Sequence, residues 1–122
     1  MPAYTILVST EPYKYQVTDT LLNLCQAILD KGNIIKGIFF FGTGVYNIKK
    51  NISCGTSIRN VPCKIEEFAT TNNIPVAGCS TWVSLTGLDE KNFIEGAKEE
   101  GLGDFSDWAI DSDKIIIFGP GS

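Results

Sequence analysis

The run Ile34-Ile35-Lys36-Gly37-Ile38-Phe39-Phe40-Phe41 constrains this chain more than any other segment. It is apolar on both faces and does not alternate, so it suits a strand covered on each side, as in a parallel sheet flanked by helices. Tyr4 to Ser9 (Tyr-Thr-Ile-Leu-Val-Ser) is a second short β-rich run, stopped by Glu11-Pro12. Between the two runs the period changes. Val17, Leu21, Leu24 and Ile28 fall at spacings of four, three and four along one helical face, and Gly32 stands where a helix C-cap belongs. Strand, helix and strand make one βαβ unit.

The pattern continues. Ile65, Phe68 and Ala69 after Pro62 predict a second amphipathic helix, and Ile74 to Ala77 a third strand that Gly78-Cys79 directly follows. Ser80 to Leu85, closed by Gly87, has room for a short helix. Asp89 is a candidate N-cap for a further helix, which Gly96 weakens. Asp104, Phe105, Trp108 and Ala109 predict a last helix, and Lys114 to Phe118 a closing strand. Gly42 to Val61 is long for a connection, with a possible turn of helix at Val45 to Ile48. The fold expected is a single α/β domain over residues 1–122, a mostly parallel open sheet with helices on both faces. Chemistry in such sheets gathers beyond the carboxyl ends of the strands, which here means the loops at Thr10 to Gln16, Gly42 to Asn47 and Gly78 to Ser80.

Composition narrows the chemistry. With 122 residues, 43% of them hydrophobic and 20% charged, the chain has the make-up of one globular domain. Its formal charge of −4 and pI near 4.7 disfavour direct nucleic-acid binding, in spite of a local basic group at Lys49, Lys50 and Arg59. No apolar run approaches the ~20 residues needed to span a bilayer. The start, Met1-Pro2-Ala3-Tyr4, lacks a charged segment followed by an apolar stretch, so a cytoplasmic protein is expected. Histidine is absent, which removes imidazole as base, nucleophile activator and metal ligand. No metal or organic cofactor is expected.

Four cysteines remain: Cys25, Cys54, Cys63 and Cys79. Their spacing gives no C-x-x-C pair, and in a reducing compartment they are expected to be free thiols. Cys25 lies beside the apolar stripe of the first helix and reads as core. Cys54 and Cys63 flank the irregular segment and read as surface or filler thiols. Cys79 follows a strand and precedes a short helix, a position that favours thiolate through unpaired backbone N–H groups; a buried, inert cysteine is the competing reading. Gly42-Thr43-Gly44 follows a strand but lacks the rest of either phosphate-binding fingerprint. Gly101-Leu102-Gly103 precedes a helix and reads as a turn with close packing. Glu99, Glu100, Asp104 and Asp107 read as solvated helix ends.

Three segments taken together resemble the DsrE/TusD family of sulfur-relay proteins. They are Tyr4 to Ser9 with the Pro12-Tyr13 turn; Phe39-Phe40-Phe41 with Gly44-Val45-Tyr46-Asn47; and Gly101-Leu102-Gly103 leading to Ser112 through Phe118. Cys79 sits where that family places its persulfide-bearing cysteine. The resemblance implies a DsrE-like subunit in which Cys79 accepts sulfane sulfur and passes it to an acceptor cysteine of another protein. Ser80 and Thr81 would steady the anionic sulfur with their N–H groups, and Tyr13 and Tyr46 would line the mouth. The partners implied are other DsrE-family subunits or further copies of this chain, together with donor and acceptor proteins bearing reactive cysteines, in tRNA thiolation or dissimilatory sulfur metabolism. Neither Cys54 nor Cys63 is a feature of that pattern, and the stretch from Cys79 to Gly101 is short for it. Two alternatives stay open: a non-catalytic assembly subunit, and a thiol redox switch using Cys54 and Cys79.

Overall fold

The computed structural model describes residues 2–13, 16–50 and 60–119. Its elements are β1 (Ala3–Val8), α1 (Val17–Asp30), β2 (Ile34–Phe40), a 3-10 helix (Gly42–Ile48), α2 (Val61–Asn72), β3 (Val76–Cys79), α3 (Ser80–Leu85), a 3-10 turn (Glu90–Asn92), β4 (Ala97–Glu100), α4 (Leu102–Ile110) and β5 (Lys114–Phe118). The five strands form one sheet in the order β4-β3-β2-β1-β5, with every pairing parallel.

This order distributes the helices. From β1 to β4 the chain steps across the sheet in one direction, and right-handed crossovers place α1, α2 and α3 on one face. The return to β5, beside β1, reverses direction and places α4 on the other. Alternation along β2 shows the result: Ile38 and Phe40 join the core under α1 and α2, whereas Phe39 faces α4, and all three are fully buried. An apolar run on both faces of β2 was the sequence signal for this, and the sheet uses both faces.

The first face holds the larger core. Ile6 and Val8 from β1 meet Leu21, Cys25 and Ile28 of α1 and Val61, Ile65 and Ala69 of α2. On the second face α4 sets Phe105 and Trp108 against Phe39, with ring centroids 5.3 and 6.3 Å away. The indole lies so close to β2 that a Cβ on Gly37 would stand 2.6 Å from its ring. Farther toward β5 this face is open, with Ile117 62% exposed.

β5 is fastened to β1 at its start. The Ala3 N–H donates to Asp113 Oδ2 at 2.7 Å and the Asp113 N–H to the Ala3 carbonyl at 2.8 Å, while Ser112 Oγ donates to the Trp108 carbonyl and lies 2.6 Å from Thr5 Oγ1. At the other end of the sheet Gly42-Thr43-Gly44 opens the 3-10 helix rather than a phosphate loop. Gly42 has a φ of 61°, and a Cβ on Gly44 would collide with the Val8 carbonyl. Asn47, 2% exposed, ties this turn down by donating to the carbonyls of Thr10 and Gly44 at 2.8 and 2.9 Å.

Several sequence expectations change. The third strand runs Val76–Cys79 rather than Ile74 to Ala77, so Cys79 ends it instead of following it. The helix from Asp89 is only one 3-10 turn, because Asp89 and Asn92 satisfy each other's backbone N–H groups locally and Gly96 at φ 87° turns the chain into β4. Glu99 and Glu100 therefore belong to a strand, not to a helix end. The last helix starts at Leu102, with Asp104 inside its first turn accepting the Gly101 N–H at 3.0 Å.

Gly37→Ala should destabilise the fold by ~1–3 kcal/mol through overpacking against Trp108. In a Trp108→Ala background the same change should cost much less, as denaturant midpoints of the four proteins will report.

Candidate active site around Cys79

β3 is short and wholly buried, and Cys79 is its last residue and the N-cap of α3. Gly78 and Cys79 point to opposite faces. A Cβ on Gly78 would meet Ile48, Phe93 and Val83 of the larger core, whereas the Cys79 side chain packs with Phe39 and Ala77 on the α4 side. Around that cluster lie Leu7, Phe41, Trp82, Phe105 and Trp108. Phe41, just past β2, and Trp82, one turn into α3, stack edge to face with centroids 6.0 Å apart. The thiol-bearing residue is 2% exposed.

The expected supporting groups divide. Ser80 is half-buried and Thr81 exposed in the first turn of α3, but the Cys79 side chain takes no capping hydrogen bond from that turn. Tyr13, at φ 69°, follows β1; its hydroxyl accepts the Val61 N–H at 3.2 Å, and the side chain is tied to the start of α2. Tyr46 lies in the 3-10 helix after β2. Both tyrosines are exposed at the carboxyl edge of the sheet, the edge that Cys79 ends, yet neither belongs to the shell around Cys79. Apart from Leu7 that shell is aromatic and comes from Phe41, Trp82, Phe105 and Trp108. Phe41 and Trp82 had a sequence signal, since they bracket the carboxyl ends of adjacent strands; the two α4 residues had none, because strand order alone brings them there.

The other cysteines separate by environment. Cys25 is fully buried on α1, and burial pushes its thiol up to about 12. Cys63 is exposed in the first turn of α2, its N–H held by Asn60 Oδ1 at 3.1 Å. Cys54 lies outside the described residues, as does Arg59 of the basic group. Next to Cys79 the β3–β4 ladder places Glu100, whose carboxyl is held above its usual range by partial burial and by Asp104. Among the described residues no helix is long and apolar enough to cross a membrane.

A family model described as DsrE/DsrF-like matches residues 3–118. The chain belongs to that family. Among its relatives are an uncharacterised Methanopyrus kandleri protein, 30% identical with 93% of this chain and 92% of the relative covered, and a putative sulfurtransferase DsrE of Allochromatium vinosum, 24% identical with 95% and 98% covered. A sulfurtransferase TusD homolog of Vibrio vulnificus is 25% identical, with 94% of this chain and 96% of the homolog covered. The fold matches the crystal structure of the ychN protein from E. coli with a TM-score of 0.82 at 21% identity, over 97% of this chain and 100% of that one. The parallel-sheet DsrE-like architecture expected from the sequence is thereby shown.

Cys25 gives a pH test. Its folded thiol holds a proton to about 12, against 9.0 for an ordinary thiol. Between those values the unfolded state releases the proton first, so stability is fully present below the lower value and should fall by ~1.4 kcal/mol per pH unit above it. Urea midpoints across this range should decline less steeply for Cys25→Ala.

Proposed function

We propose that this protein is a sulfur-relay sulfurtransferase that carries sulfane sulfur as a persulfide on Cys79 and hands it to a cysteine of a partner protein. The observation that carries this reading is the position of Cys79: the last residue of a central strand, at the carboxyl edge of a parallel sheet, where open α/β sheets do their chemistry. Membership of the DsrE/DsrF-like family and relatives named sulfurtransferase support it.

The chemistry is thiol exchange. The Cys79 thiolate attacks the outer sulfur of a donor persulfide, and an acceptor thiolate later removes that sulfur in the same way. Neither step needs imidazole, which the chain lacks. Donor and acceptor proteins with reactive cysteines are the partners this requires, alongside other DsrE-family subunits or copies of this chain. Tyr13 and Tyr46, exposed at the sheet edge, suit the approach of such a partner, and Ser80 and Thr81, in the first turn of α3, hold the N–H groups that a loaded sulfur would have to turn toward. If the sulfur ends in tRNA thiolation, the net charge of −4 assigns the RNA to another component; dissimilatory sulfur metabolism is the other destination.

Burial favours a second reading. At 2% exposure beneath an aromatic shell, Cys79 has the surroundings of a core residue, as a non-catalytic assembly subunit would have. In the relay reading the shell of Leu7, Phe41, Trp82, Phe105 and Trp108 must open before a donor reaches the sulfur.

Incubation with a sulfane-sulfur donor should add one sulfur atom to Cys79, removable by reductant and seen by mass spectrometry of the peptide. Cys79→Ser should abolish the loading and Cys25→Ser should leave it intact. Loading that persists in Cys79→Ser reassigns the active thiol, and an unloaded wild type leaves the assembly reading standing.

A further inference from the structure

A sealed thiol that must ionise needs a group to take its proton where water does not reach. The β3–β4 ladder supplies one. Cys79 and Glu100 are directly paired in register, and residues paired across a ladder stand ~4.8 Å apart with their side chains on one face. That face is the α4 face, on which Cys79 packs with Phe39 and Ala77. Glu100 is half-buried there, and it also lines a cleft of about 400 Å³ with Lys98, Val76 and Trp108. The cleft gives Glu100 a route to solvent, and across the ladder its partner is Cys79.

Neighbouring carboxylates are engaged elsewhere. Glu90 accepts the Glu99 N–H at 2.8 Å and Asp104 the Gly101 N–H at 3.0 Å, whereas the Glu100 carboxylate accepts no hydrogen bond among the described residues. The charges that face it are Asp104 from α4, Lys98 from its own strand and Glu90 from the 3-10 turn. Burial, Asp104 and Glu90 raise its proton affinity and Lys98 lowers it, with a net shift upward.

We propose that Glu100 receives the proton of Cys79 when the thiol ionises and returns it to the departing donor. This rests on the relay reading of Cys79. The Cys79 thiol gives its proton to the Glu100 carboxylate, and the thiolate attacks the outer sulfur of a donor persulfide. The donor's S–S bond breaks as the new S–S bond on Cys79 forms, and the donor sulfur leaves as a thiolate that takes the proton from Glu100. No electrons are gained or lost overall. The opposing possibility is purely electrostatic: a charged carboxylate beside a thiol resists its ionisation and slows loading.

The two differ in sign, so rates of sulfur loading decide. Wild type, Glu100→Gln, Glu100→Asp and Glu99→Gln are each treated with glutathione persulfide over a range of pH, and the Cys79 peptide is followed by mass spectrometry. Glu100→Gln should load ~10²-fold more slowly at neutral pH, as loss of a general base does, and should recover toward high pH. Glu100→Asp should regain most of the rate, and Glu99→Gln should match wild type. Glu100→Gln loading as fast as wild type, or faster, overturns the proposal while leaving Cys79 as carrier. A wild type that takes up no sulfur on Cys79 overturns both.

Discussion

Burial of β2 on both faces is the constraint on which the rest of this domain depends. Phe39 and Phe40 are adjacent in sequence, fully buried, and committed to opposite cores. A strand of that kind cannot stand at an edge or face water, so it requires partners on both sides and helices above and below. β1 and β3 provide the first and the crossovers provide the second. Once β2 is central, the carboxyl ends of β1, β2 and β3 line up, and Cys79 falls at the edge where ligands and partners approach such sheets.

The same geometry creates the tension at Cys79. Its strand position presents it at the reactive edge, while its side-chain direction turns it beneath Phe41, Trp82, Phe105 and Trp108. Apolar surroundings shelter the side chain from water and from stray thiols. Glu100, paired with Cys79 across the ladder and lining a cleft, is the polar residue that this sheltered edge sets next to it.

Much of this was legible in the sequence, for identifiable reasons. β1 and β2 were readable because their apolar runs reflect burial directly, β5 because its β-branched run has strand propensity although its residues are half-buried or exposed, and α1 because its stripe has a clean helical period. α3 was found from Ser80 to Leu85 as expected, and Cys25 was placed in the core. β4 was not readable. Ala97-Lys98-Glu99-Glu100 carries charged residues on an edge strand and is held by its ladder to β3 rather than by its own propensity. With β4 unseen, the pairing of Glu100 with Cys79 was beyond reach, and both residues' surroundings depend on a strand order that no local pattern encodes.

The unequal covering of the sheet has a mechanical consequence. One side is backed by three helices, whereas the other is held by a single helix of nine residues, beyond which Ile115 and Ile117 stay exposed. Local opening follows the layer with least buried apolar contact, and its free energy is only a part of that for global unfolding. Fluctuations that loosen α4 would thus reach the sulfur atom while the hydrocarbon beneath α1 and α2 stays intact, so the domain can breathe on one side without melting.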